Sequence, residues 1–172
     1  MQLVDFLDFE SIRVGLSSGN KRKLLQMLAQ MAGARLGFEP TAIVETVAER
    51  ERLGSTGFGN GVAIPHGKAL GLKRIYAMVV RLAEPIDYKA IDGQPVDLVF
   101  LLLSPPDAGA EHLKALAAIS RVVRHAPTLE KLRGACRTTR LIAASAFRCS
   151  APASGGESRR KTRSTGWPSI AL

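Results

Sequence analysis

Cysteine is nearly absent from this chain of 172 residues. Its two cysteines, Cys136 and Cys149, fall late and show neither a CxxC spacing nor clustering with histidine. That excludes a disulfide scaffold and a zinc module, and it fits a reducing cytoplasm. Long apolar runs are missing too. The longest, Leu98 to Leu103, falls far short of the roughly 20 residues that a membrane-crossing helix needs. The opening residues, MQLVDFLDFE, are acidic and lack a positive segment, so no secretory signal is visible and no membrane insertion is expected. No internal repeat and no cluster of metal-ligating side chains can be read, so neither a metal nor another cofactor is expected. At this length one compact domain with a real core is the default.

The net charge of +9 points at first to nucleic acid. Its distribution weakens that reading. Residues 137–172 carry seven Arg and Lys against a single acid, Glu157, which leaves residues 1–136 at only +3. The body is mildly basic, the tail raises the isoelectric point, and no nucleic-acid partner is expected.

Apolar spacing sets out the elements. IRVGL (12–16) alternates like a short strand. Residues 20–36 place Leu24, Leu25, Leu28, Met31, Ala32 and Leu36 on one face and close at Gly37, the pattern of an amphipathic helix with a glycine stop. Residues 41–53 form a second helix with Ile43, Val44 and Val47 inward. The runs 75–82 and 96–103 are rich in branched apolar residues and read as buried strands around a turn at Asp92-Gly93-Gln94-Pro95. A third helix follows at 111–124, stopped by Pro127, and 128–135 can add a fourth. Near-continuously apolar strands separated by helices predict an α/β domain, with a mixed sheet covered on both faces.

The most informative stretch is GSTGFGNGVAIPHGK, Gly54 to Lys68, with five glycines and one histidine. It is not a dinucleotide fingerprint, which needs a strand before its glycines and a helix after them; here a charged helix precedes and a short strand, Val62 to Ile64, follows. Nor is it a P-loop, because Ala69 stands where Ser or Thr must follow Gly67-Lys68. The glycines predict an open loop whose free N–H groups can form an anion-binding nest. Pro65 cannot donate to a sheet, so the strand is expected to end there and present His66 at its rim, with Gly67 leaving space beside the ring. A lone histidine more often fills a turn, but this glycine density favours function.

Periodicity adds two neighbours. On the second helix Arg50 shares the face of Ile43 and Val47, while Arg52 falls on the opposite face. An arginine there suits either a clamp on an anion or a cation satisfying the helix's last carbonyls. On the third helix His112 shares a face with Leu116, Ile119 and Val123, which by itself reads as a core-edge histidine. His125 reads as a helix C-terminal cap.

These residues carry a resemblance. GSTGFGNGVAIPHGK, then AIDGQPVDLVFLLLSP, then EHLKALAAISRVVR are similar to the enzyme IIA domains of fructose/mannitol type from the bacterial phosphoenolpyruvate-dependent phosphotransferase system, and most to its nitrogen-regulatory members. The resemblance runs from about residue 3 to residue 135. It implies a three-layer α/β/α fold over 1–136. It implies that His66 accepts a phosphoryl group from an HPr-like phosphocarrier protein, and that Arg50 and His112 lie beside it and hold the phosphoryl oxygens. The backbone of Gly57, Gly59, Asn60, Gly61 and Gly67 would complete the cradle. Ser55 and Thr56 offer hydroxyls either to the phosphoryl group or to their own backbone. The function implied is a cytoplasmic phosphocarrier that regulates partners by its phosphorylation state. The alternative is the IIA component of a sugar uptake system, passing phosphate from the same His66 to a IIB domain.

The chain departs from the family after LRGA (132–135). Residues 137–172 turn to Arg, Ser, Ala, Gly and Pro without apolar periodicity over the longer part. The stretch 149–165 cannot bury enough surface to order itself, so about 150–172 is expected to be disordered and LIAASAF (141–147) to form one short helix at most; the abrupt change fits an altered reading frame near residue 136.

Overall fold

The computed structural model of the chain describes residues 1–135. The expectations for 137–172 lie outside the described residues. After two short 3-10 turns at Leu3–Asp5 and Phe9–Ser11, the chain forms β1 (Arg13–Leu16), α1 (Lys21–Leu36), α2 (Pro40–Arg52), β2 (Gly57–Gly59), β3 (Val62–Ala63), β4 (His66–Lys68), β5 (Tyr76–Ile86), β6 (Val96–Ser104), α3 (Gly109–Arg124) and α4 (Ala126–Ala135).

Both ends of α1 follow from single residues. The Asn20 side chain accepts from the N–H of Lys23, and Gly37 adopts φ +74° in the left-handed region that glycine enters without a Cβ penalty. An Asn cap contributes about 1 kcal/mol to such a helix. Pro40 occupies the first turn of α2, where its missing N–H costs nothing. Pro127 plays the same part in α4. It therefore opens the fourth helix instead of terminating the third, and His125 caps α3 one residue earlier.

The sheet is mixed and six-stranded, in the order β1-β5-β6-β3-β2, with β4 also on β6. β1 runs parallel to β5, β5 antiparallel to β6, and β3 and β4 both parallel to β6. Alternate residues of the two central strands serve different layers, which explains their nearly unbroken apolar character. Ala77, Val79, Leu98, Phe100 and Leu102 face the N-terminal turns, α3 and α4, against Ala115, Ile119, Val123 and Leu132. Met78, Val80, Val99, Leu101 and Leu103 face α1 and α2, against Leu24, Leu28, Ala32, Ile43 and Val47. The result is the three-layer α/β/α arrangement read from the sequence. Among the described residues no helix is long and apolar enough to cross a membrane.

Two local readings are corrected. β3 ends at Ala63, before Pro65, as expected, but pairing with β6 resumes at His66, which opens β4. Val62 pairs with Leu98, Ala63 with Val99, His66 with Leu102, Gly67 with Leu103 and Lys68 with Ser104, so one offset along β6 holds on both sides of the proline. The carbonyl of Pro65 still accepts from Leu102 N–H at 3.0 Å, because proline loses only its donor. His66 thus opens a second short strand in the register of the first and is not left unpaired at the end of β3. The glycine stretch is not an open loop either. β2 and β3 form a hairpin whose turn residues Asn60 (φ +54°) and Gly61 (φ +73°) both adopt the left-handed conformation that a two-residue turn demands. The turn is fastened from outside. Asn60 N–H donates to Asp92 at 2.8 Å, and Arg133 of α4 donates to the Asn60 carbonyl at 2.7 Å while chelating Asp97.

Candidate functional site

His66, Arg50 and His112 are brought together from three elements. β4 carries His66, the last turn of α2 carries Arg50, and the first turn of α3 carries His112. Arg50 Nε donates to His66 Nε2 at 3.0 Å, and a second guanidinium nitrogen donates to the Gly54 carbonyl at 3.1 Å. The His66 and His112 rings stand 5.4 Å apart, centre to centre, tilted by 48°. They open onto a cleft of about 750 Å³ that is also lined by Thr46, Arg52, Lys68, Leu113 and Leu116.

The protonation of His66 is fixed by two partners with one role each. A guanidinium only donates, so Nε2 presents a lone pair to Arg50. The Ile64 carbonyl only accepts, so Nδ1, 2.7 Å away, carries the proton. Burial is the main influence holding the His66 pKa below its ordinary value. The Ile64 hydrogen bond opposes that shift and the Arg50 charge adds to it. His112 is held low as well, by burial first and then by His66, Lys68 and Arg50. Both rings are therefore neutral near pH 7. The His112 Nδ1 lies 2.8 Å from the hydroxyl of Ser104, the last residue of β6.

α2 is set against β4 by close approach. A Cβ on Gly67 would stand 2.9 Å from Thr46 Cγ2 and 3.0 Å from its Oγ1. The space that Gly67 leaves is therefore filled by α2, four residues before Arg50. The Thr46 hydroxyl also accepts from Lys68 N–H at 3.2 Å.

The last turn of α2 is locked from its other side. The Glu51 side chain is only 8% exposed. It pairs with Lys21 of α1, accepts from Thr56 through both N–H (2.9 Å) and hydroxyl, and meets the fully buried Tyr88 hydroxyl at 3.3 Å. Burial by itself would push the Glu51 carboxyl up; the Lys21 and Thr56 contacts outweigh it and leave the pKa below its ordinary value. Lys21 also lies over the Tyr88 ring at 4.4 Å and donates to Ser55 at 3.3 Å.

Among the residues of the glycine stretch expected at the site, only His66 and Gly67 line the cleft. Ser55 and Thr56 belong to the Glu51 network. The N–H groups of Thr56, Gly57 and Asn60 are taken by Glu51, Ser55 and Asp92, respectively. Gly57 is needed for a different reason: a Cβ there would come within 2.5 Å of the Ala90 backbone. Gly59 and Gly61 lie in the fastened hairpin. Arg52, expected on the opposite face, lines the cleft alongside Arg50, but only Arg50 bonds to His66. His125 is elsewhere, bonded to Thr128 at 2.7 Å as a helix junction. Lys68, whose Nζ donates to the Pro106 carbonyl at 2.9 Å, adds a cation to the cleft. Its adjacency to Gly67 was the only sequence signal for it. Ser104 and Glu51 gave none, because their partners are distant in the chain or belong to another element.

The three-layer domain with its mixed sheet has the fold of solved phosphotransferase IIA proteins, and the sequence places the chain among them. Residues 5–144 match the family described as phosphoenolpyruvate-dependent sugar phosphotransferase system, EIIA 2, and the chain belongs to that family. It is 47% identical over 133 residues to a nitrogen regulatory protein of Bradyrhizobium diazoefficiens, covering 77% of this chain and 87% of the relative. It is 41% identical over 123 residues to a nitrogen regulatory protein of Pseudomonas aeruginosa, covering 71% and 80%. The crystal structure of nitrogen regulatory protein IIA-Ntr from Neisseria meningitidis superposes with a TM-score of 0.73 at 32% identity, over 81% of this chain and 97% of that one.

Proposed function

We propose that this protein is a nitrogen-regulatory phosphocarrier that accepts a phosphoryl group on His66 Nε2 from an HPr-like phosphocarrier protein and controls its partners through that modification. The observation carrying this reading is the tautomer of His66. The Ile64 carbonyl holds the proton on Nδ1, which leaves Nε2 as a nucleophilic lone pair beside an open, cationic cleft. Neutrality near pH 7 keeps that lone pair available. The similarity to nitrogen regulatory proteins supports the regulatory assignment.

Transfer forms the Nε2–P bond as the N–P bond of the donor's phosphohistidine breaks. A loose phosphoryl transition state asks for positioning and charge stabilisation more than for covalent help. Arg50 exchanges its bond to Nε2 for a phosphoryl oxygen as the group arrives, and the Gly54 carbonyl keeps its other arm in place. His112 supplies a second contact. The phosphoryl contacts are thus assigned to side chains, with the Ser55–Gly61 segment acting as their support. The modification adds about 1.5 to 2 negative charges to a cleft bordered by the strongly exposed Leu53 and Leu113, which changes what that surface can bind.

The test is incubation of the full chain with a phosphorylated HPr-like carrier. The expected result is one acid-labile phosphoryl group, absent from His66→Ala and present, more slowly, in His112→Ala. Undiminished labelling of His66→Ala would refute the assignment. Rapid onward transfer to a sugar-specific IIB domain would instead place the protein in an uptake system.

A further inference from the structure

Ser104 is fully buried, and its hydroxyl lies 2.8 Å from His112 Nδ1. A hydroxyl always carries a proton that needs an acceptor, and a buried one has no water to turn to. Among the described residues His112 Nδ1 is the hydroxyl's only hydrogen-bond partner. Were Nδ1 protonated, it would donate to the serine oxygen and strand the serine proton in the interior, uncompensated for its lost hydration. The reverse direction satisfies both groups. The serine donates, Nδ1 accepts, and the single proton of the neutral ring lies on Nε2. That nitrogen has no partner among the described residues and belongs to a ring that lines the cleft.

We propose that Ser104 is a positioning residue that locks His112 in the tautomer protonated on Nε2, so that His112 meets the phosphoryl group as a neutral hydrogen-bond donor. The proposal rests on the phosphocarrier reading above. It gives the two histidines opposite tautomers for opposite roles: His66 is held by a backbone carbonyl with Nε2 bare to attack phosphorus, and His112 is held by a hydroxyl with Nε2 protonated to receive a phosphoryl oxygen. The wrong tautomer at His112 would turn a lone pair towards an oxyanion, a repulsive contact. Nothing in the local sequence betrays the pairing, because Ser104 closes a strand and His112 lies one turn into the helix beyond.

The experiment is 15N–1H spectroscopy of the imidazole nitrogens in the full-length labelled chain, above the pH at which His112 titrates. The expected spectrum shows His112 with a protonated Nε2 and a bare, hydrogen-bonded Nδ1. In Ser104→Ala the two nitrogen signals should move towards each other as the tautomers mix, and phosphorylation by the HPr-like donor should slow by about fivefold to tenfold, as the loss of one hydrogen bond implies. Ser104→Thr, which retains the hydroxyl, should restore the wild-type nitrogen shifts. A wild-type His112 protonated on Nδ1 would overturn the proposal without any variant. So would a Ser104→Ala protein with unchanged shifts and an unchanged rate. A wild-type chain that takes up no phosphoryl group would defeat the phosphocarrier reading, while the tautomer lock would still be decided by the spectrum alone.

Discussion

Arg50 Nε and His66 Nε2 are joined at 3.0 Å by a hydrogen bond that can run in only one direction. The arginine cannot accept, so the bond marks the imidazole nitrogen that is free of a proton. It also stations a permanent cation beside that nitrogen, where the proposed transfer would develop phosphoryl charge. Under the proposed function, the same contact would mark the nucleophile and supply its electrostatic partner.

Arg50→Gln removes that cation. Because the Arg50 charge lowers the His66 pKa, the variant's His66 should titrate at a higher pH than wild type, as read by NMR titration. Its rate of phosphorylation should fall by about 10²-fold, the usual cost of losing a donor aimed at developing charge. Arg50→Lys keeps the charge but cannot reach the ring and the Gly54 carbonyl together, so it should fall between the two. An unshifted His66 in Arg50→Gln would separate the two residues electrostatically.

Acidification should affect activity and stability in the same direction. His66 and His112 both have folded-state pKa values below the ordinary 6.5. Phosphoryl acceptance should therefore persist somewhat below that pH and fall as the folded-state value is crossed. For stability, the unfolded chain binds protons first. The contribution of these histidines is full above pH 6.5 and is lost as pH drops through the folded-state pKa. Melting temperatures recorded between about pH 8 and pH 5 should fall towards acid. A His66→Gln, His112→Gln double variant should show a shallower fall, whereas an identical slope would contradict the account.

Glu51→Gln tests the lock behind Arg50. It removes the ion pair and leaves Lys21 without its acid. Urea unfolding should show a loss of about 2–3 kcal/mol, in the range for breaking a mostly buried pair with its hydrogen bonds. Because Glu51 fixes Thr56 and thereby the turn that presents the Gly54 carbonyl, phosphorylation should slow as well. A loss below about 0.5 kcal/mol, the level of a surface pair, would show that the network does not bear on the fold.

Gly67→Ala should destabilise by about 1–3 kcal/mol, the cost of adding a methyl group to a filled contact. Its Cβ would collide with both γ atoms of Thr46. Thr46→Ala in the same chain removes those atoms, so the double variant should be more stable than the sum of the single effects predicts. Strict additivity in urea unfolding would mean that α2 and β4 do not meet through this pair.

Local chemistry was legible in the sequence where one residue decides an outcome. Asn20 and Gly37 mark the ends of α1, the spacing from Ile43 and Val47 selects Arg50, and the glycine-flanked His66 stands out by itself. What stayed hidden depends on neighbours across the fold. Pro65 interrupts the donors of a strand whose register is set by β6, so the proline alone could not show that pairing resumes at His66. The Asn60-Gly61 dipeptide is a hairpin signal, but strands of three and two residues beside it carry no readable alternation. The glycines looked like a single loop because Gly57 and Gly67 are required by Ala90 and Thr46, residues far away in the chain. Ser104 and Glu51 were invisible for the same reason.

The most direct test of the central claim is the site of phosphorylation at atomic resolution. The full-length, 15N-labelled chain is phosphorylated by an HPr-like donor, and the imidazole nitrogen coupled to phosphorus is identified by NMR. The account predicts a phosphorus-coupled Nε2 on His66, with Nδ1 still protonated and His112 unmodified. Phosphorus on His66 Nδ1, or on His112, would contradict it.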